Sequence, residues 1–167
     1  MALRNIVTEG DDTLRKVCRP VGEINDRIQT IIDDMIDTMN EAEGVGIAAP
    51  QVGILRRIFV VDIGEGPIVL INPEILETSG EQEGPEGCLS VPGVYAEVTR
   101  PSKIKVEYYN ENLEKVVEEF DRFACRMVQH ELSHLEGNLF VDNVSPIRRK
   151  MLMRKLQAIS KALSIPP

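Results

Sequence analysis

The sequence predicts an α+β fold, a compact single domain in which antiparallel or mixed sheets pack around a central helix. Three observations carry that expectation. A helical apolar pattern comes first, at 25–42. A block of short apolar runs bounded by turn residues follows, from 58 to 120. Two further helical patterns come after it, so helices and strands are segregated and do not alternate as β-α-β units.

Taken in order, residues 25–42 place Ile28, Ile31, Ile32, Met35 and Met39 at helical spacing, with Asn25 as N-cap and Gly44 near the stop. The runs IFVVDI (58–63) and IVLIN (68–72) read as strands, because Gly64, Gly66 and Pro67 between them supply a turn. VYAEVT (94–99), KIKVEYY (103–109) and KVVEEF (115–120) extend the block, broken at Pro101 and at 110–112. Asp121 is then placed to cap a helix over 122–135, with Gly137 just past its end. A last amphipathic helix, at about 146–164, follows Pro146 and sets Leu152, Leu156, Ile159 and Leu163 on one face. No repeat, low-complexity segment or linker divides the 167 residues, so 1–167 reads as one catalytic-sized domain.

Composition narrows the function classes. Hydrophobic residues make up 43% and charged residues 28%, while aromatics are only 4%, so the core must rest on Ile, Val, Leu and Met. A net charge of -8 argues against a nucleic-acid footprint, and no DNA partner is expected. No apolar run has the length of a signal peptide or a membrane span. Cys18, Cys88 and Cys125 are odd in number and widely spaced, which suits a reducing compartment better than a disulfide framework. The expected location is the cytoplasm.

The chemistry concentrates in QHELSHLEGN at 129–138, which holds both histidines of the chain. On a helix over 122–135, His130 and His134 lie one turn apart on one face and can grip a single ion. Glu131 stands beside that ion without having to bind it, which is the content of H-E-x-x-H: two ligands plus a general base for a bound water. The plain alternative, a helix surface with two histidines at this spacing by chance, weighs far less because histidines are so few. A catalytic site needs a third protein ligand. The downstream carboxylates, Glu136 and Asp142, are a poor supply, since no acidic residue follows 142. Cysteine is the other choice. Cys88 sits in EGCLSVPG, read as lying between a Gly-rich loop and a strand, whereas Cys18 and Cys125 read as small buried apolar residues. Two histidines and one cysteine suit Fe(II), Zn, Ni or Co.

Three motifs in order carry a resemblance. They are GVGIAAPQ at 44–51, matching G-x-G-x-A-A-x-Q; EGCLS at 86–90; and QHELSH at 129–134, matching Q-H-E-x-D-H except at Ser133. On these the chain resembles the bacterial peptide deformylases. The resemblance implies that Cys88, His130 and His134 hold the metal, usually Fe(II), and that Glu131 is the general acid and base. It further implies that the Gln51 amide and the Leu89 N–H bind the oxyanion and that Gly46 offers backbone contacts to the peptide. The implied reaction is removal of the formyl group from N-formylmethionyl nascent peptides.

Around that centre, Val45 and Met127 are candidates for an apolar methionine pocket and Tyr95 for a peptide-facing position. Glu86 joins this substrate group, either as a surface carboxylate or as an anchor near the metal loop. Arg126 reads as a surface residue with a weaker claim. Ser133 is expected to orient a neighbour by hydrogen bond in place of the family's Asp. Arg148, Arg149, Lys150, Arg154, Lys155 and Lys161 make the last helix basic. A solvated face is the favoured reading of that helix, and docking on ribosomal RNA is the second. Two rival functions differ in what they require: an H-E-x-x-H peptidase needs a carboxylate ligand, and a structural metal site has no use for Glu131.

Overall fold

The computed structural model describes residues 2–164, with side chains through residue 159; the side chains of Lys161 and Leu163 lie outside that set. The elements run α1 (Asp26–Glu41), β1 (Gly46–Ala48), β2 (Ile58–Val61), β3 (Ile68–Ser79), β4 (Gln82–Cys88), β5 (Val91–Arg100), β6 (Lys103–Tyr109), β7 (Lys115–Asp121), α2 (Arg122–Leu135) and α3 (Pro146–Ser164). Short 3-10 turns cover Asp12–Arg15, Ala49–Val52 and Phe140–Asn143. The expected N-terminal helices are thus one α-helix and one 3-10 turn.

Two antiparallel sheets form, one of five strands in the order β1-β2-β3-β6-β7 and one a β4-β5 hairpin. The continuous run IFVV of β2 is buried at every position because both faces of the large sheet are covered. Ile58 and Val60 pack with Ile32, Met35 and Met39 of α1 on one face. Phe59 and Val61 pack with Val128 and Leu135 of α2 on the other. A third cluster joins β5, through Val94, Ala96 and Val98, to Phe140 and to Leu156 of α3.

Asn25 caps α1 as expected, its side chain accepting from the Ile28 N–H at 3.0 Å. Asp121 holds the N-cap position of α2 but makes no side-chain cap bond. It is still paired in β7 opposite Lys103, and the left-handed Arg122 (φ 52) turns the chain sharply after it. Strand β3 does not stop at 72. The ladder slips between Ile71 and Glu74, and the strand resumes to Ser79. Asn72 stabilises the slip from its side chain, which accepts from the Val21 N–H at 2.7 Å and donates to the Val21 carbonyl at 2.8 Å.

Candidate metal centre

Helix α2 places its two histidines against the protein interior, His130 at 5% and His134 at 1% exposure. Cys88 reaches them from the end of β4. One donor atom from each of the three lies within 4.8 Å of the others, with Cys88 Sγ 3.3 Å from His134 Nε2. His130 Nδ1 meets Glu86 Oε1 at 2.9 Å, so its Nε2 is the nitrogen left to face the site, 3.9 Å from Glu131 Oε1. The other Glu131 oxygen, Oε2, is buried without a partner among the described residues. One sulfur and two imidazole nitrogens, with a carboxylate beside them, fit a borderline-soft divalent ion that keeps an open position.

The competing ligands are elsewhere. Glu136 is half-exposed and pairs with Arg57 at 3.0 Å. Asp142 accepts from the Leu139 N–H at 2.9 Å, from Arg15 at 2.6 Å and from Arg149 at 3.1 Å, which commits both its oxygens. Cys18 and Cys125 are buried free thiols, each pushed up in pKa chiefly by burial.

Two sequence expectations change here. Glu86 is no surface carboxylate: although it borders the cleft, its side chain has no exposure and meets His130, as the anchor reading has it. Arg100 forks onto both its oxygens, and Arg126 donates to Oε2 at 2.7 Å. Arg126 is accordingly no surface residue but is 4% exposed. Burial works against the Glu86 carboxylate, yet the bonds from His130 and Arg100 outweigh it and bring the pKa down to about 2. For Glu131 burial wins and lifts the pKa to about 7, with Glu86 adding to the rise and His130 and Arg100 opposing it.

A cleft of about 570 Å³ opens over these groups. Gly44, Val45 and Gly46 form one wall, the β4-β5 hairpin forms the other, and Met127, His130 and Glu131 of α2 form the floor. Gly46 has no room for a side chain, since a Cβ there would fall 2.9 Å from Glu131 Oε2. Val45, Leu89 and Tyr95 line the cleft as expected, and the ring of Tyr95 occupies the space a Cβ at Gly87 would need. Gln51 is fully buried. Its Oε1 accepts from the Ala48 N–H at 2.9 Å, and its Nε2 donates to Ser90 Oγ at 3.1 Å and points at Cys88 Sγ at 3.5 Å.

Ser133 does make a hydrogen bond to a neighbour, but to backbone and not to a side chain. Its hydroxyl donates to the Gln129 carbonyl, one turn back in its own helix, at 2.9 Å. His134 Nδ1 has no partner among the described residues. The sequence reading also passed over Ser90, Phe123 and Arg100. Phe123 stands seven residues before His130 on α2, so helical spacing alone could have placed it on the cleft side. Arg100 carries no local signal, because its role depends on a partner across the hairpin.

Comparison with known proteins agrees with this geometry. The family model for polypeptide deformylase matches residues 3–150. A peptide deformylase from Agathobacter rectalis is 56% identical over 144 residues, covering 86% of this chain and 91% of the relative. One from Clostridium botulinum is 52% identical over 145 residues, covering 87% and 99%. Among solved structures, a peptide deformylase from Legionella pneumophila superimposes with a TM-score of 0.94 at 41% identity, covering 99% of this chain and all of that one. A Synechococcus elongatus peptide deformylase in complex with actinonin gives 0.88 at 39% identity, covering 92% and 86%.

Proposed function

The chain belongs to the polypeptide deformylase family, and from that premise we propose how its own residues perform the reaction. That reaction is hydrolysis of the N-formyl group from the formylmethionine of newly made peptides, with release of formate. The observation that carries the assignment of residues is the convergence of Cys88, His130 and His134 beside the unpartnered Glu131 oxygen.

Cys88, His130 and His134 would hold one divalent ion, Fe(II) as the family resemblance implies, and the same donors also suit Zn, Ni or Co. Such an ion, when bound, lowers the pKa of water toward neutrality and supplies a nucleophile. Glu131 takes the proton and delivers it to the leaving nitrogen, a role suited by a buried carboxylate whose Oε2 has no protein partner among the described residues. Gln51 and the Leu89 N–H donate to the formyl oxygen as negative charge develops on it. The Ala48 N–H and Ser90 Oγ fix the Gln51 amide, and its second N–H, directed at Cys88 Sγ, is the one that turns to the formyl oxygen. The peptide lies as an added strand beside β1, an edge strand with β2 as its one neighbour. Val45, Met127 and Phe123 receive the methionine side chain, and Tyr95 faces the residues after it.

We read the chain as one catalytic domain in the cytoplasm, a reading supported by the free thiols of Cys18, Cys88 and Cys125, which suit a reducing compartment. In α3, Arg149 is tied to Asp142, while Arg148, Lys150, Arg154 and Lys155 are exposed. Those four support docking on ribosomal RNA. Unchanged ribosome co-sedimentation after their replacement by Gln would refute it.

The test of the function is direct. Fe(II)- or Ni(II)-loaded protein incubated with formyl-Met-Ala should release formate and one new amine. Unformylated peptides should yield neither, and internal cleavage would return the peptidase reading.

A further inference from the structure

We infer that Arg126 is a positioning residue for the metal centre, holding the helix that carries two ligands at a set distance and angle from the strand that carries the third. The inference rests on the assignment of Cys88, His130 and His134 as ligands. A buried guanidinium is costly to desolvate unless its donors are paired, and Arg126 makes three hydrogen bonds. Its Nη1 donates to Glu86 Oε2 at 2.7 Å and to the Val98 carbonyl at 2.9 Å, and its Nη2 donates to the Gln82 carbonyl at 3.4 Å. Gln82 and Glu86 belong to β4 and Val98 to β5, so all three bonds run from the helix to the hairpin. The hairpin leaves a slot for the group: a Cβ at Gly84 would lie 3.1 Å from Arg126 Nη2.

Neutralising Glu86 does not explain this investment, because Arg100 already forks onto that carboxylate. Arg100 stands on β5, in the same hairpin as Glu86, and the pair constrains the hairpin only against itself. Arg126 comes from α2, four residues before His130. Helix and strand are therefore joined at both oxygens of one carboxylate, His130 Nδ1 at Oε1 and Arg126 Nη1 at Oε2. One bond would leave the imidazole free to swing about it, whereas two bonds set its orientation as well. Cys88 lies two residues after Glu86 on the same strand. The attachment consequently governs the separation of Cys88 Sγ from the histidine nitrogens, in the way that outer hydrogen bonds orient metal ligands generally.

Co(II) is the probe, titrated into metal-free protein against a chromophoric chelator. Wild type should show a sulfur-to-cobalt charge-transfer band. Arg126→Met should weaken Co(II) binding by about 10- to 100-fold and shift that band, while KM for formyl-Met-Ala in the loaded enzyme changes less than about twofold. Arg126→Lys should recover part of the affinity, since an ammonium can reach Glu86 but cannot also bridge to Val98. Unchanged Co(II) affinity and band in Arg126→Met, whatever happens to the melting of the metal-free protein, would overturn the inference and leave Arg126 a plain fold residue. If Arg126→Met does not fold, Gly84→Val, whose branched side chain fills the slot where a Cβ alone would sit 3.1 Å from Nη2, displaces the guanidinium without removing it and should shift the band the same way. No shift there overturns the inference equally. Absence of the band in wild type would instead overturn the ligand assignment itself.

Discussion

At the scale of single residues, the site is defined by what has no room and what has no partner. Gly46 is a glycine because Glu131 Oε2 would lie 2.9 Å from any Cβ. Gly46→Ala should push the carboxylate aside and lower kcat by about 10²-fold, comparable to a misplaced catalytic group, with metal content unchanged by elemental analysis. Glu131→Gln keeps the shape and removes the base, so formate release should fall by about 10²–10⁴-fold while the ion is retained. Loss of the ion in that variant would make Glu131 a ligand instead. The residues of this centre differ in how readable they were. His130, His134 and Glu131 were legible because helical spacing alone brings them together. Arg126 misled because an arginine is ordinarily exposed, and only its buried partners Glu86, Val98 and Gln82 reverse that expectation.

Elements were legible where one covered face dictates a pattern, as in α1 with its capped start and its buried Ile32, Met35 and Met39. Strand β4, QEGPEGC, was not, because only Glu86 is buried along it and no apolar alternation exists to read. Strand β3 was cut short at Asn72-Pro73, where a bulge supported by Val21 lets the ladder continue. The loop after α2 offers a prediction at this scale. Asp142 ties the Phe140–Asn143 turn to Arg15 and to Arg149 of α3. Burial opposes its ionised form, but the Leu139 N–H and Arg15 outweigh it and hold its pKa below the usual carboxylate value. A depressed pKa in the folded state contributes stability above the unfolded pKa and loses it as pH falls through the folded one. Asp142→Asn should therefore cost about 2 kcal/mol at neutral pH, and the gap to wild type should begin to narrow as pH falls below about 4 and keep shrinking through the lower folded-state pKa. Parallel urea titrations at both pH values check it, and a gap independent of pH would refute it.

For the whole molecule, the three proposed ligands come from two units, a hairpin and a helix, so an ion held by them would cross-link the two. An ion at about 100 times its Kd stabilises by about 2.7 kcal/mol, which for a chain of this size corresponds to roughly 5–10 °C in Tm. Chelation should lower the melting temperature by that amount and reloading should restore it. Equal melting with and without the ion would contradict a site spanning hairpin and helix. This span also divides what could be read from what could not. By itself the sequence determined the α+β order, the helix that presents His130, Glu131 and His134, and, through three motifs in register, the family. All of these rest on short-range periodicity or on contiguous residues. The tertiary structure alone showed that Cys88, already implied by the family resemblance, converges on both histidines while Glu136 and Asp142 turn to arginines. It also decided that Glu86 lies beneath the site, and that Arg126 of the helix and Arg100 of the hairpin meet on it. Those contacts join residues tens of positions apart, and a buried charge declares its partner only once folding has excluded water from around both.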